Sequence, residues 1–325
     1  MQSLSKRNST VRAWLKTSVL LLLLSFLGCG RDSDRPVVDF TKTASIARPA
    51  ESASDDSPLR IAVGAMASPK ESFIYYRKLL DYIGEKLGEK VELVQRKSYG
   101  EINDLLGKGQ IDFAFICSGP YVAGSEEFGF ELLTIPEIRG SHFYQSYLIV
   151  NKNSPFEDLA DLRNRTFAFT DPDSLTGRLV PTQWILQAHD SPESFFDRII
   201  YTYSHDNSIL AVAKGLVDGA AVDGLIWEYY QQANPVWTSR TRVIKKSEPY
   251  GIPPVVAART VSAQNREKVG KLLLEMHLDP AGREILQNLM IDRFVAPEED
   301  WYEGIGKIHR SLAESRRGNH ASSKP

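Results

Sequence analysis

Apolar and polar positions along this chain predict strands and helices in turn. Apolar runs such as Ile111–Cys117 are short and continuous, which is typical of strands in a sheet that is covered on both faces. Apolar residues recur at helical spacing over Lys70–Leu87, which indicates an amphipathic helix. The predicted strands are Leu59–Ala65, Val91–Val94, Ile111–Cys117, Tyr144–Asn151, Thr166–Thr170, Ile199–Tyr203, Gly219–Asp223 and Val255–Arg259. The predicted helices are Lys70–Leu87, Ile102–Gly107, Gly177–Ala188, Asn207–Lys214, Leu225–Gln232, Ala263–Leu278, Ala281–Met290 and Trp301–Ala313.

The order of these elements predicts two α/β lobes, one inserted into the other. After Val255–Arg259 the chain is expected to continue as helices without matching strands, so those helices need the first sheet to cover. Two crossings, near residues 145–150 and 248–255, would then form a hinge. The predicted organisation is a signal peptide at 1–28, an acylated cysteine and tether at 29–57, a first lobe at 58–147 and 252–313, a second lobe at 148–251, and a disordered tail at 314–325.

The amino terminus is typical of a secretory signal peptide. Residues 1–16 carry four basic residues and no acid, and an apolar run from Thr17 to Leu27 follows, too short to span a bilayer with ordinary flanks. The run ends at Gly28-Cys29, which resembles a bacterial lipoprotein cleavage site, although Phe26 and Leu27 are bulky for its preceding positions. We expect acylation of Cys29; the alternative is an ordinary secretory peptide in which this cysteine is incidental.

Composition and charge narrow the functional classes. The chain is 42% hydrophobic and 25% charged, which is typical of a soluble globular protein and not of a disordered or multispanning one. Its two cysteines are too few for a disulfide framework, and Cys117 is expected to be a buried, inert thiol. Removal of residues 1–28 leaves 35 basic against 41 acidic residues, a formal charge of −6, which disfavours a nucleic-acid partner.

The junction between Thr170 and Arg178 is a candidate anion site. It follows an apolar strand and opens a helix, where free backbone N–H groups attract anions. Ser174 and Thr176 offer hydroxyl donors, and Gly177 allows the backbone to approach a ligand. The alternative is that Asp173 or Ser174 merely caps the helix.

Tyrosines lie near two other junctions. At the first of these junctions, Ser68, Pro69 and Glu71 form a capping box, with proline in its favoured place. Capping alone explains these three residues. On that helix Tyr76 fits the buried face, whereas Tyr75 lies about 100° away and is a candidate for the crevice.

Three more residues stand where strands end. Tyr121 follows the strand that ends at Cys117; the alternative for it is a tyrosine of the core. His205 and Asp223 follow the last two strands of the second lobe. Each has a structural alternative, a core or solvated histidine and a helix cap, but together they place an imidazole and a carboxylate at neighbouring strand ends.

Four segments resemble successive parts of the phosphate, phosphite and phosphonate-binding proteins of ABC transporters. The segments are LRIAVGAMASPKESFIYYRKLLDYIGEKLG, IDFAFICSGPYV, TDPDSLTGRLVP and YSHDNSILAVAKGLVDGAAVDGLIWEYY, and the resemblance spans roughly residues 59–313. It implies a two-lobed type II periplasmic-binding-protein fold, with a mostly parallel sheet in each lobe and a two-strand hinge. It also implies an extracytoplasmic monomer that passes a small phosphorus anion to an ABC permease. Acylation of Cys29 would anchor this protein to a bacterial membrane.

The resemblance also implies a set of ligand-binding residues. Ser174, Thr176 and Gly177 would hold the phosphoryl oxygens, and the residues around the same group would be Tyr75, Tyr76, Tyr121, His205 and Asp223. The turn departs from the family at Leu175, where a hydroxyl residue is common, so the identity of the phosphorus compound stays open. A carboxylate beside an anion is acceptable when a P–OH group or a ligand ammonium donates to it; sulfate offers no such proton at neutral pH.

Two other functional classes are the alternatives to transport. The same lobes could serve an extracytoplasmic sensor whose closed form contacts a membrane receptor, and the sequence of the lobes does not separate this from transport. An enzyme is not expected, because the chain contains no HExxH or GxSxG motif and its six histidines are scattered. Neither a cofactor nor a metal ion is expected.

We expect Cys29→Ala to abolish acylation and to release the protein from the membrane fraction of a bacterial host. The basic start, the apolar run and Gly28-Cys29 are the reason. Mass spectrometry of the mature amino terminus checks it. An unmodified Cys29 in membrane-associated protein would contradict it.

Overall fold

The computed structural model describes the backbone of residues 57–64 and 69–322, and the side chains of these residues apart from 69–75, 299 and 316–322. The predicted signal peptide, Cys29 and the tether up to Asp56 lie outside the described residues, as does the predicted cap Ser68. No helix within the described part of the chain is both long enough and apolar enough to cross a bilayer.

The described residues form thirteen strands and ten α-helices, arranged as two α/β lobes. The strands are β1 (Leu59–Val63), β2 (Val91–Val94), β3 (Phe113–Phe115), β4 (Glu131–Glu137), β5 (Phe143–Tyr144), β6 (Ser146–Asn151), β7 (Thr166–Phe169), β8 (Arg198–Tyr201), β9 (Gly219–Asp223), β10 (Thr241–Lys246), β11 (Tyr250–Gly251), β12 (Val255–Ala257) and β13 (Arg293–Val295). The helices are α1 (Pro69–Leu87), α2 (Tyr99–Gly107), α3 (Ser118–Phe128), α4 (Val180–Gln187), α5 (Pro192–Phe195), α6 (His205–Ala213), α7 (Gly224–Ala233), α8 (Ala263–Glu275), α9 (Pro280–Asn288) and α10 (Glu303–Ser322).

The first lobe is built on a six-stranded sheet in the order β13-β4-β12-β3-β1-β2. β1 pairs in parallel with β2 and β3, and β12 inserts antiparallel between β3 and β4. All three residues of β3 are buried, as expected for an apolar strand at the centre of a sheet. Phe115 of this strand packs against Phe294 of β13, with ring centroids 6.3 Å apart. The return of the chain at β12 and β13 therefore closes this lobe.

The second lobe is built on a five-stranded sheet in the order β10-β6-β9-β7-β8. β7 is parallel to both β8 and β9, whereas β6 is antiparallel to β9 and β10. Phe167 of β7 stacks on Phe196 at a centroid distance of 4.3 Å, and α6 packs against β9 and β6. The two-lobed fold class is confirmed, but each sheet is mixed rather than mostly parallel because the chain adds returning strands beside a parallel core.

Two chain crossings join the lobes. β5 pairs antiparallel with β11, Tyr144 opposite Tyr250, and the chain then passes into the second lobe at Gln145 and back at Ser247. The crossings are hydrogen-bonded to each other: Ser146 N–H donates to Ser247 Oγ at 2.9 Å, and Ser247 N–H donates to the Ser146 carbonyl at 3.0 Å. The lobe boundaries predicted from the sequence remain a prediction. A hinge between the lobes would lie at the hydrogen-bonded pair Ser146 and Ser247.

Several elements differ from the sequence-based expectation. The pattern did not predict three of the strands, β4, β10 and β13. β4 contains Pro136, β10 ends in charged residues, and β13 is only three residues long, so each departs from a continuous apolar run. The expectation of no strands after Val255–Arg259 is therefore wrong. α3 was expected only as a helix start near Tyr121, because its sequence SGPYVAGSEEF has no strong amphipathic pattern.

The last helix also runs further than predicted. α10 ends at Ser322, whereas the sequence predicts an end at Ala313 and an irregular tail from 314. The segment just after Ala313 contains Glu314, Arg316 and Arg317, which are good helix formers, so local propensity extends the helix beyond its last apolar residues.

We expect the two lobes to close about the two crossings when an anion binds between them. Hinge closure is the motion available to two rigid lobes joined by short strands. X-ray scattering of the protein with methylphosphonate should give a smaller radius of gyration than without it, and sulfate serves as the control anion. Tight binding with an unchanged radius would contradict hinge closure.

Candidate functional site

The candidate site lies where strand ends of the two lobes face each other. β7, β8 and β9 are parallel, so their carboxyl ends share one edge of the second sheet. The end of β3 in the first lobe faces this edge, since the backbone N–H of Leu175 is directed at the Cys117 thiol. Burial raises the pKa of that thiol to about 11, as expected for the inert buried cysteine.

The turn after β7 is a tight cradle. Ser174 precedes a five-residue π-helical turn, Leu175–Leu179, and its Oγ accepts the Gly177 N–H at 3.0 Å. A Cβ on Gly177 would overlap the side chain of Thr170, so only glycine fits at this close approach. Leu175, at the position where the family commonly has a hydroxyl, is fully buried. Ser174 therefore does cap the turn, as the structural alternative held, and its hydroxyl hydrogen is left to donate elsewhere.

Thr176 presents a buried hydroxyl that has no partner in the described part of the chain. Its side chain is fully buried, and its Oγ1 has no hydrogen-bond partner among the described residues. The Thr176 carbonyl accepts Ser146 Oγ at 2.6 Å, and Ser146 lies opposite Asp223 in the β6–β9 ladder. These contacts place the unpaired hydroxyl near the end of β9.

His205 begins α6 and is fully buried. Its Nδ1 accepts the backbone N–H of Asp223 at 3.0 Å, so in the neutral ring the hydrogen sits on Nε2. Burial lowers the pKa of this imidazole to about 3, which keeps it neutral. Nε2 is buried and finds no partner within the described part of the chain, and neither does the hydroxyl of the preceding Ser204. The ring is thus an uncharged N–H donor held in a fixed orientation.

Asp223 caps α7 from the end of β9. Its Oδ1 accepts the N–H groups of Leu225 and Ile226 at 2.8 and 3.3 Å, and the residue is only 3% exposed. Burial raises the pKa of this carboxyl to about 7, against the lowering effect of those two hydrogen bonds. Near neutral pH the group therefore exists both as an acid that donates and as a carboxylate that accepts.

The first lobe contributes an aromatic wall. Burial, and secondly the charge of Asp223, raise the pKa of Tyr76 to about 12, so its phenol stays protonated close to that carboxyl. The Tyr76 ring meets Phe115 edge to face at 5.6 Å. Tyr75 lies on the same helix, but its side chain is outside the described ones.

Tyr121 takes a different position from the other candidates. Its ring packs edge to face on Tyr302, with centroids 4.8 Å apart, and Tyr302 in turn donates to the Ile252 carbonyl at 2.7 Å. This contact favours the packing role that the sequence left open, and a ligand contact by Tyr121 remains a prediction.

Two residues that the sequence did not single out also belong here. The phenol of Tyr99, at the start of α2, is buried, and its oxygen has no bonding partner in the described structure; burial raises its pKa well above the usual value. Its backbone N–H donates to Asp171 Oδ2 at 3.2 Å and so links the two lobes. Burial raises the pKa of Asp171 to about 6. Tyr99 follows β2 at a strand-to-helix junction, which was the available signal.

The site thus combines neutral donors with one titratable carboxyl. Among the buried polar atoms without a partner in the described residues, four lie at these strand-to-helix junctions: Tyr99 Oη, Thr176 Oγ1, Ser204 Oγ and His205 Nε2. A buried polar group without a partner costs about 1–3 kcal/mol, so a ligand that accepts these hydrogens would stabilise the closed site. No group of acids, histidines and cysteines in the described residues is suited to a metal ion. The arrangement suits an oxyanion bound through hydrogen bonds.

Comparison with known proteins points in the same direction. Residues 61–302 match the family described as ABC transporter, phosphonate, periplasmic substrate-binding protein. The phosphonates-binding periplasmic protein of Escherichia coli is 25% identical over 251 residues, 76% of this chain and 74% of that protein. A probable ABC transporter phosphite binding protein of Prochlorococcus marinus is 28% identical over 185 residues, 53% of this chain and 62% of that protein.

Solved structures share the fold. A binding protein component of an ABC phosphonate transporter from Pseudomonas aeruginosa aligns with a TM-score of 0.74 at 22% identity, covering 78% of this chain and 86% of that one. PhnD1 of Prochlorococcus marinus, solved with methylphosphonate, aligns with a TM-score of 0.72 at 19% identity, covering 80% and 99%. At these identities the likeness establishes the architecture.

We expect Ser174→Ala and Thr176→Ala each to weaken the binding of an oxyanion such as methylphosphonate by about 1.5–3 kcal/mol, the scale of a hydrogen bond to a charged group. Their effects on the ligand-free protein should differ. Ser174→Ala removes a cap and should lower stability by about 1 kcal/mol, whereas Thr176→Ala removes an unpaired hydroxyl and should not lower it through lost hydrogen bonding. Calorimetry and thermal melting check both.

Ser262→Ala is the matched control, because Ser262 caps α8 in the first lobe in the same way, accepting Asn265 N–H. It should lower stability and leave affinity unchanged. Unchanged affinity in both turn variants would mean that this turn only caps the helix and that the anion binds at another place.

Proposed function

We infer the function of this chain from its family: it belongs to the periplasmic substrate-binding proteins of phosphonate ABC transporters. We propose that it captures a small phosphorus oxyanion between its two lobes and delivers it to an ABC permease. The family is one of solute-binding proteins and not of enzymes, so binding and release, without chemistry on the ligand, is the expected cycle.

One observation carries the proposal for this site. His205 Nε2–H and the Thr176 hydroxyl are buried donors without a partner in the described residues, and Asp223, a carboxyl whose pKa burial raises to about 7, donates its backbone N–H to the same imidazole. Neutral donors satisfy the oxygens of an anion without a basic side chain. The Asp223 carboxyl then shares one proton with a phosphoryl oxygen, donating it or accepting it according to which group holds it.

The shared proton also gives selectivity. A phosphorus oxyanion with one P–OH group can pair with ionised Asp223, and a fully ionised one can accept from the protonated acid. Sulfate carries no proton, so it can pair only with the protonated form of Asp223, and it meets an unpaired negative charge once that carboxyl ionises above about pH 7. We therefore propose that the carboxyl at the end of β9 separates phosphorus anions from sulfate.

The anchor and the location extend the proposal. A lipid on Cys29 would hold the lobes outside the cytoplasm on a bacterial membrane, and the segment from 30 to 57 would tether them there. This arrangement supports delivery to a permease in the same membrane. We propose that one copy of the chain carries out capture and delivery, since both walls of the site come from a single chain.

The test is calorimetry of the full-length protein with phosphate, phosphite, methylphosphonate and sulfate. At least one phosphorus anion should bind, and at about 100 times its Kd it should add about 2.7 kcal/mol to the free energy of unfolding. Binding of sulfate alone, or of none of the four anions, would overturn the proposal.

The affinity for a phosphorus anion should also depend on pH through Asp223. Once pH exceeds about 7, Asp223 and then the ligand lose their protons, while the complex still holds one proton between them. Binding must then take up a proton, so affinity should fall by up to about tenfold per pH unit. Asp223→Asn donates an amide N–H to the ionised ligand without proton uptake, and its profile should be flatter.

Calorimetry from pH 6 to pH 9 compares the two proteins, with Asp104→Asn, on the exposed face of α2, as the matched control. The control should follow the wild-type profile. Equal slopes for wild type and Asp223→Asn would contradict the shared proton.

A further inference from the structure

An apolar cavity of about 120 Å³ opens beside Asp223 and Tyr76, between the two lobes. Its first-lobe wall comes from the end of β3, the segment before β12 and the turn after α9. Its second-lobe wall is the first turn of α7. Apolar residues dominate the lining, among them Phe115, Ile116, Pro253, Leu225, Ile226 and Leu289.

The cavity adjoins the candidate anion site at Asp223. This residue lines the cavity, while its backbone N–H donates to His205 Nδ1 on the side of the unpaired donors. Tyr76 lines the cavity as well, and its pKa is raised in part by the charge of Asp223. A ligand whose phosphoryl group meets Asp223 would therefore direct any substituent into the apolar space.

The charges around this space disfavour a cationic substituent. Among the described residues that line it, Asp223 is the only acid. In the proposed function the phosphoryl group engages that carboxyl. The one basic side chain in the described lining is Arg139, whose guanidinium pairs with Glu228 at 2.6 Å. The two tyrosines of the lining, Tyr76 and Tyr229, carry no negative charge that could pair with an ammonium group. Such a group would lose its water here without a free carboxylate in the described lining, and burying an unpaired charge is costly.

The size of the cavity limits the substituent. An apolar cavity of about 150 Å³ holds a benzene molecule. A space of about 120 Å³ thus takes a short alkyl chain or, with slight opening, a phenyl ring. Each methylene group buried there contributes about 0.8 kcal/mol, which is about fourfold in affinity.

We propose that the ligand of this protein is an organophosphorus anion with an apolar substituent, an alkyl or aryl phosphonate or the corresponding phosphate monoester, and that the cavity beside Asp223 binds the substituent. The proposal rests on the proposed function and names its ligand class.

Calorimetry of the full-length wild-type protein tests it with methylphosphonate, propylphosphonate, phenylphosphonate and 2-aminoethylphosphonate. Propylphosphonate should bind about fifteenfold more tightly than methylphosphonate, for two added methylene groups. 2-Aminoethylphosphonate has as many non-hydrogen atoms as propylphosphonate and differs in its terminal ammonium, so it is the matched ligand and should bind more weakly than propylphosphonate. Ethyl phosphate, with oxygen in place of the first carbon, distinguishes an ester from a phosphonate.

Leu289→Trp tests the place of the substituent. Leu289 is half-buried after α9, and a larger side chain there should fill the cavity and remove the advantage of propylphosphonate and phenylphosphonate while methylphosphonate binds as in wild type. Leu278→Trp makes the same change at a 65% exposed position and should alter neither affinity.

The outcomes separate this proposal from the one it rests on. If methylphosphonate binds and propylphosphonate gains nothing, or 2-aminoethylphosphonate binds as tightly as propylphosphonate, the apolar substituent is overturned and the proposed function stands. If no phosphorus anion binds, the proposed function itself fails. The ligand series on the wild-type protein decides the question even if Leu289→Trp does not fold.

Discussion

The hydrogen bond from the Asp223 backbone N–H to His205 Nδ1 determines the chemistry of the site. It uses the lone pair of one ring nitrogen, so the hydrogen of the neutral imidazole is confined to Nε2. The same bond ties the first turn of α6 to the end of β9. Ser146 stands opposite Asp223 in the next strand and holds the carbonyl of Thr176. The donors and the carboxyl are thus fixed relative to one another by a single sheet edge.

The first lobe contacts this edge of the second sheet through backbone groups as well as side chains. Tyr99 N–H donates to Asp171, and the Cys117 thiol faces the backbone N–H groups of Leu175 and Gly119. Gly119 has no room for a side chain, since a Cβ would lie 2.6 Å from the Asp173 carbonyl oxygen. Close backbone contact between lobes leaves little space for bulk water around the donors. Low local polarity then strengthens the hydrogen bonds that a ligand makes there.

Much of this arrangement follows from local sequence rules. Continuous apolar runs predicted the positions of β3, β7 and β9. Polar residues that follow parallel strands meet at one edge of the sheet, and this rule identified four candidate residues: Ser174, Thr176, His205 and Asp223. The rule could not select Tyr99 for its phenol, because burial and the absence of a partner depend on packing between lobes. Nor could it place Tyr121, whose partner Tyr302 is distant in the chain. β4 and β13 were not predicted because their pairing is long-range, β4 contains Pro136, and β13 is only three residues long.

The neutrality of His205 has a consequence for the environment in which capture takes place. Dissolved salt screens charges that attract a ligand from a distance, but it has little effect on hydrogen bonds made in a buried site by uncharged groups. A binding site whose donors carry no charge gains nothing from long-range steering and loses nothing when the surrounding ionic strength rises. Outside the cytoplasm, where ionic strength varies with the medium, such a protein would retain its affinity through fluctuations that weaken a site built on lysine or arginine.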